Sequence, residues 1–292
     1  MKRTFCLLLA LTMLFGLSAC SREKEKTVEN EADFRIITSF YPVYVTVANL
    51  VDGAEGVSVE NLTDPEIGCL HSYMLEKKDL KKMTGADLFV ASGMGMENFV
   101  GMSSLGVPGL ELLDCGEDIK NVIEDELGNA NPHYWMNTEN VVEQCEKIKR
   151  TLCRLDPKNA AIYEANTASY TEKLRALDAE LQQRAEKLKD KVIVVYHDSF
   201  DYFAKQFGLE IITINDAEEA AKYENEISDI GCMFAQKSIA DSKEYQAFAK
   251  KNGCVTYVID TLTVPVDGED VNDAYVNAFR RNFDVLEHMS TN

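Results

Sequence analysis

Between Asn159 and Lys189 the chain contains neither glycine nor proline, and on both sides of this stretch short β-branched runs alternate with helical ones. Tyr163, Thr167, Tyr170, Leu174, Leu177, Leu181 and Leu188 recur mostly at three- and four-residue steps, so they line one face of a helix. Asp156-Pro157 marks its entry. Roughly thirty residues at about 1.5 Å rise give about 45 Å, enough to run the height of a two-domain protein. A solvent-exposed coiled-coil arm is the alternative. The sequence offers no second helix of matching length, so the helix is expected to join two βα domains.

Before the helix, Arg35-Ser39, Val57-Leu62, Asp87-Ala91 and Leu110-Asp114 read as strands buried on both faces, with helices at Val43-Val51, Glu76-Met83 and Met96-Ser104 between them. After it, strands fall at Lys191-Tyr196, Leu209-Thr213, Gly231-Ala235 and Cys254-Ile259, and helices at Asp198-Phe207, Ile239-Lys251 and Ala274-His288. The expectation is an α/β fold of two βα domains, each with a parallel four-stranded sheet, a long helix joining them and a cleft between. The boundaries are 34–158 for the first lobe, 159–190 for the helix and 191–292 for the second lobe. No tandem repeat is visible, so any likeness between the halves is architectural.

The start of the chain points to an address. Lys2 and Arg3 precede an apolar run, Phe5 to Gly16, too short to span a bilayer, and residues 1–19 read as a signal peptide. Leu17-Ser18-Ala19-Cys20 resembles the lipobox of bacterial lipoproteins, which implies cleavage before Cys20 and lipid attachment to its thiol. An ordinary secretory signal is the alternative. Residues 20–33 are charged and poor in apolar groups, as in a flexible stalk. The expected location is therefore outside the cytoplasm, tethered to the membrane by acyl chains.

The formal net charge of −19 and the absence of a basic patch exclude nucleic acid as a partner. Such acidity suits cation approach as well as solubility. Beyond Cys6 and Cys20 six cysteines remain, at 69, 115, 145, 153, 232 and 254. Their pairing cannot be read from sequence, although Cys145 and Cys153 lie eight residues apart on one helix and cannot reach each other. Cys69, two residues before His71, is either a soft metal ligand, a buried thiol or half of a disulfide.

Three of the four histidines follow strands. They are His71 in Leu70-His71-Ser72-Tyr73, His133 in Asn131-Pro132-His133-Tyr134-Trp135 and His197 in Val195-Tyr196-His197-Asp198. The strand Cys254-Ile259 leads into an acidic loop ending at Asp273. Ligand groups in open α/β sheets gather beyond the carboxyl ends of the strands. Three imidazoles and a carboxylate converging there make a transition-metal site. His288, near the end of the last helix, suits the helix dipole instead.

These motifs resemble the zinc/manganese-binding solute-binding lipoproteins of bacterial metal ABC transporters, from Phe34 to the C-terminus. Ser39-Phe40-Tyr41-Pro42-Val43-Tyr44 is similar to that family's Thr-Phe-Tyr-Pro-Leu-Tyr opening. His71-Ser72-Tyr73 with Asp79-Leu80 and Ala86-Asp87-Leu88-Phe89, Asn131-Pro132-His133-Tyr134-Trp135, and His197-Asp198-Ser199-Phe200-Asp201-Tyr202-Phe203 are similar to its three histidine motifs. Asn272-Asp273-Ala274-Tyr275 resembles its Gly-Asp-Ser/Thr-Tyr, which implies Asp273 as fourth ligand. The alternatives there are a helix N-cap, or Glu269 or Asp270 as the ligand. Asn131 stands where the family usually has aspartate, Met136-Asn137 replaces the common Leu-Asp, and Ala235-Gln236-Lys237 replaces Thr-Glu-Pro. Zinc-specific members often carry a His-rich acidic loop, whereas Cys115-Asn129 has the acids and no histidine.

The resemblance implies high-affinity capture of a divalent metal and its delivery to a cognate ABC permease, with ATP hydrolysis by a partner ATPase. No GxxxxGK[ST] loop occurs in this chain. Zinc is favoured by three imidazoles, and by His197 where manganese-type relatives often have glutamate; manganese is the alternative. An extracytoplasmic zinc hydrolase would need a general base at the metal, and no HExxH or GxSxG occurs. A carrier of chelated metal would share the helix-linked architecture but has no use for three imidazoles.

Overall fold

A computed structural model describes residues 32–291 of the 292-residue chain, apart from 65, 66, 72, 98, 100–105, 126, 189 and 190. The expected signal peptide, Cys20 and most of the stalk lie outside the described residues, as do most of the helix expected over Met96-Ser104 and the end of the long helix at Lys189.

The first sheet contains β1 (Phe34–Thr38), β2 (Val57–Asn61), β3 (Leu88–Ala91) and β4 (Glu111–Asp114), all parallel, in the order β2-β1-β3-β4. Among the described residues two helices lie in its crossovers, α1 (Tyr41–Val51) and α2 (Lys77–Met83). Pro42 lies in the first turn of α1, where its missing N–H would have no helical partner in any case. Glu76 and Asp79 form a reciprocal capping box on α2.

Two long helices follow. Asn137 caps α3 (Thr138–Leu155) by accepting from the N–H groups of Glu139 and Asn140. Asp156-Pro157 breaks the chain, and α4 (Ala160–Ala185) runs roughly 39 Å. All seven residues assigned to its apolar face are buried, the last of them, Leu188, in a short 3-10 turn beyond its end. The helix packs its apolar face on α1 and α3, and the exposed coiled-coil arm is excluded.

The second sheet contains β5 (Val192–Tyr196), β6 (Glu210–Ile214), β7 (Cys232–Gln236) and β8 (Val255–Ile259), again parallel, in the order β6-β5-β7-β8. Both sheets therefore place their strands in the order second, first, third, fourth. The likeness of the two halves is one of topology. Around the second sheet lie α5 (Asp201–Phe207), α6 (Ala217–Lys222), α7 (Glu224–Ile230), α8 (Lys237–Ala240), α9 (Lys243–Lys251) and the C-terminal α10 (Val271–Thr291). The single helix expected over Ile239-Lys251 is divided, because the Ser242 hydroxyl caps a new helix by accepting from Tyr245 N–H.

One buried apolar cluster runs from Phe34 in the first sheet through α4 to Leu286 in α10. A smaller one, around Val194, Ile227, Met233 and Tyr245, lies on the other face of the second sheet. The six described cysteines are free thiols. Among the described residues no helix is long and apolar enough to cross a membrane.

Candidate metal centre

Each of the three histidines sits beyond the carboxyl end of a strand. His71 is in the loop between β2 and α2, His133 precedes a 3-10 turn (Tyr134–Met136) leading into α3, and His197 directly follows β5. The loop holding His71 is tied down on both sides. Leu70 is buried with its N–H 3.4 Å from Met96 Sδ, and the Tyr73 hydroxyl donates to Asp79 Oδ2 at 2.7 Å. His197 has φ +86°, a region side chains rarely adopt, at a cost on the order of 1–3 kcal/mol. Its N–H donates to Ile214 O at 2.7 Å and holds it there.

The three rings converge. Their centroids are 5.0 Å apart for His71 and His133, 5.1 Å for His133 and His197, and 5.8 Å for His71 and His197. His71 Nε2 and His133 Nε2 are 3.2 Å apart. Burial, followed by the neighbouring His197 and His71, pushes the His133 pKa well down; burial also lowers those of His71 and His197. All three are thereby biased to the neutral form that a metal requires.

His133 is fully buried, and its edges face different groups. Nδ1 lies 2.8 Å from Asn131 Oδ1 and 3.4 Å from Asp198 Oδ1, while Nε2 faces His71 Nε2 and, at 3.6 Å, Cys69 Sγ. The Asn131 carbonyl thus provides the ring support usually given by a carboxylate in the second histidine motif. The Asn131 amide in turn donates to Asp198 O at 3.0 Å, and its backbone carbonyl accepts from the Tyr202 hydroxyl at 2.9 Å. Asp198 Oδ1 also lies 3.0 Å from His197 Nδ1. Burial raises the Asp198 pKa, and the nearby His71 lowers it.

Asp273 is not brought to the histidines. It occupies the first turn of α10 with its Oδ1 2.5 Å from Lys173 Nζ on α4, and the same ammonium donates to Asn272 O at 2.7 Å. The assignment of Asp273 as fourth ligand is therefore corrected: the lysine draws the carboxylate to the α4–α10 seam. It is not an N-cap either, since α10 begins two residues before it, at Val271. Glu269 is taken by Arg281, at 2.6 Å, and Asp270 caps the helix through Asn272 N–H. Two residues that sequence reading did not place in the site belong to it, Asp198 and Gln236. Asp198 had a signal, its adjacency to His197. Gln236 had a weaker one, its place in Ala235-Gln236-Lys237 where the family usually has Thr-Glu-Pro; the fold brings its amide to 3.7 Å from Cys69.

Two sheets of like topology, one long helix between them and a polar cluster at the strand ends define the class of two-lobed solute-binding proteins. Within that class the chain belongs to the family described as zinc-uptake complex component A, periplasmic, whose model matches residues 36–289. The zinc-binding protein AdcA of Streptococcus pyogenes serotype M3 is 28% identical over 98% of this chain and 61% of its own length, so the chain spans about three-fifths of that relative. The high-affinity zinc uptake system protein ZnuA of Bacillus subtilis is 26% identical over 93% of this chain and 92% of that protein. In fold, the laminin binding protein Lmb of Streptococcus agalactiae is similar, with a TM-score of 0.77 at 21% identity, covering 88% of this chain and 98% of that one.

Proposed function

We propose that this protein captures a divalent transition metal outside the cytoplasm, zinc in preference to manganese, and delivers it to an ABC permease driven by a partner ATPase. The observation that carries this reading is the convergence of three imidazoles, from three separate loops, to centroid separations of 5.0–5.8 Å at the strand ends. His71, His133 and His197 are the metal ligands. Asn131 and Asp198 hold two of the rings at their Nδ1 edges. An all-nitrogen trio favours zinc, whereas manganese prefers oxygen donors. The names of the relatives AdcA and ZnuA, both zinc proteins, support the same ion.

The chemistry is that of a carrier. The donors are buried or half-buried and come from loops of both sheets. Tethering through a lipidated Cys20 would keep the carrier beside its permease, consistent with the lipoprotein names of relatives such as FimA of Streptococcus parasanguinis. Protein purified without chelators is expected to carry close to one zinc per chain and, once stripped, to bind zinc more tightly than manganese in a competition titration. Tighter manganese binding in the same buffer would overturn the zinc assignment. Absence of binding by either ion would overturn the function.

A further inference from the structure

With Asp273 held at the α4–α10 seam, three imidazoles leave one corner of a tetrahedron to be filled. The contacts of His133 indicate where that corner lies. Its Nδ1 is within hydrogen-bond distance of the Asn131 carbonyl, an acceptor, so Nδ1 carries the proton and the lone pair is on Nε2. The ion must then sit on the Nε2 edge. Asp198 is on the opposite edge of the ring, so it is a positioning residue and not the missing donor. On the Nε2 edge stand His71 and Cys69.

We propose that Cys69 is the fourth ligand, binding the captured metal as a thiolate beside His71, His133 and His197, and that this sulfur sets the preference for zinc over manganese. The inference rests on the metal-capture reading above. Tetrahedral zinc, with bonds of about 2.3 Å to sulfur and about 2.0–2.1 Å to nitrogen, separates a sulfur and a nitrogen ligand by about 3.6 Å and two nitrogens by about 3.4 Å. The corresponding separations are 3.6 Å between Cys69 Sγ and His133 Nε2, and 3.2 Å between the two Nε2 atoms. Candidate donor atoms of Cys69, His71 and His133 lie within 4.8 Å of one another, so one ion can reach all three. On binding, the sulfur donates a lone pair to the metal, the S–H bond breaks and the proton passes to solvent.

Gln236 fits this role. Its Oε1 accepts from the Cys69 thiol at 3.7 Å and from the Thr261 hydroxyl at 3.1 Å. A glutamate there would repel a thiolate. An amide, turned through a half circle, offers it an N–H donor. A soft sulfur discriminates against manganese, which binds oxygen, and favours zinc, cobalt and cadmium.

Cobalt(II) titration of the reduced, full-length protein tests the assignment. The wild type should show the intense near-ultraviolet band of thiolate-to-cobalt charge transfer together with weaker visible bands of tetrahedral cobalt. Cys69→Ser should lose the near-ultraviolet band and keep bound cobalt, while Cys254→Ser retains both. Zinc affinity should fall by at least ~10-fold in Cys69→Ser, the lower end of what loss of an outer partner costs, and manganese affinity should change far less. A charge-transfer band that survives in Cys69→Ser, its absence from cobalt-loaded wild type, or equal losses for both ions would remove Cys69 from the site and leave the three-histidine capture intact. Failure of wild type to bind cobalt or zinc at all would overturn both readings.

Discussion

His133 carries the largest electrostatic penalty of the three histidines: it is fully buried, and two other imidazoles face it. Its pKa is lowered on folding, so below its ordinary value of 6.5 the unfolded chain binds a proton that the folded chain refuses. Its contribution to stability is thus complete above pH 6.5 and is lost as the pH falls. Asp201, pushed up to about 6 by burial, acts in the opposite sense over part of the same range, gaining stability as the pH drops. The informative comparison is therefore between wild type and His133→Gln, both stripped of metal. The stability advantage of wild type over the variant should shrink between pH 7 and 5, by up to about 1.4 kcal/mol per unit. Thermal melts across that range check it, and a pH-independent difference would contradict the buried neutral state. The convergence of the three histidines was legible in sequence because each lies after a strand or in the loop that follows one. Asn131 was not legible as their support, because the usual aspartate is missing and only the folded loop brings its carbonyl against the ring.

At the scale of elements, each of the eight strands lies within a residue or so of its expected place. Burial on both faces holds for the inner strands β1, β3, β5 and β7, whereas the edge strands such as β2 and β8 keep exposed residues and were read from their β-branched content. The short acidic helices α6 and α7 were missed. Each spans two turns or fewer, too short for periodicity to declare itself. The failure at Asp273 has a different cause. Its motif does lie near a helix start, though the helix begins at Val271 and not at Ala274, and where that carboxylate points depends on the packing of α10 against α4, which brings Lys173 to it. Asp273→Ala should accordingly leave zinc affinity within about twofold of wild type. It should lower stability by no more than about 1 kcal/mol, since both partners of the pair are substantially exposed. A loss of zinc affinity on the scale of a histidine variant, measured in the same competition assay, would restore Asp273 to the site.

For the whole molecule, one residue reports on the cleft. Trp135, the chain's single tryptophan, has its ring centroid 5.2 Å from that of His133. It joins the lobes as well, donating its indole N–H to Thr261 O at 2.9 Å beyond β8, while its own carbonyl accepts from Tyr275 on α10. A metal entering at His133 is expected to change the fluorescence of this indole. The most direct measurement is a zinc titration against a competing chelator, read by Trp135 fluorescence, for wild type, His71→Ala, His133→Ala and His197→Ala. The wild type should saturate at one ion per chain, and each variant should lose more than the roughly 100-fold at the upper end of outer-partner losses. Wild-type affinity in His133→Ala would contradict the three-histidine site.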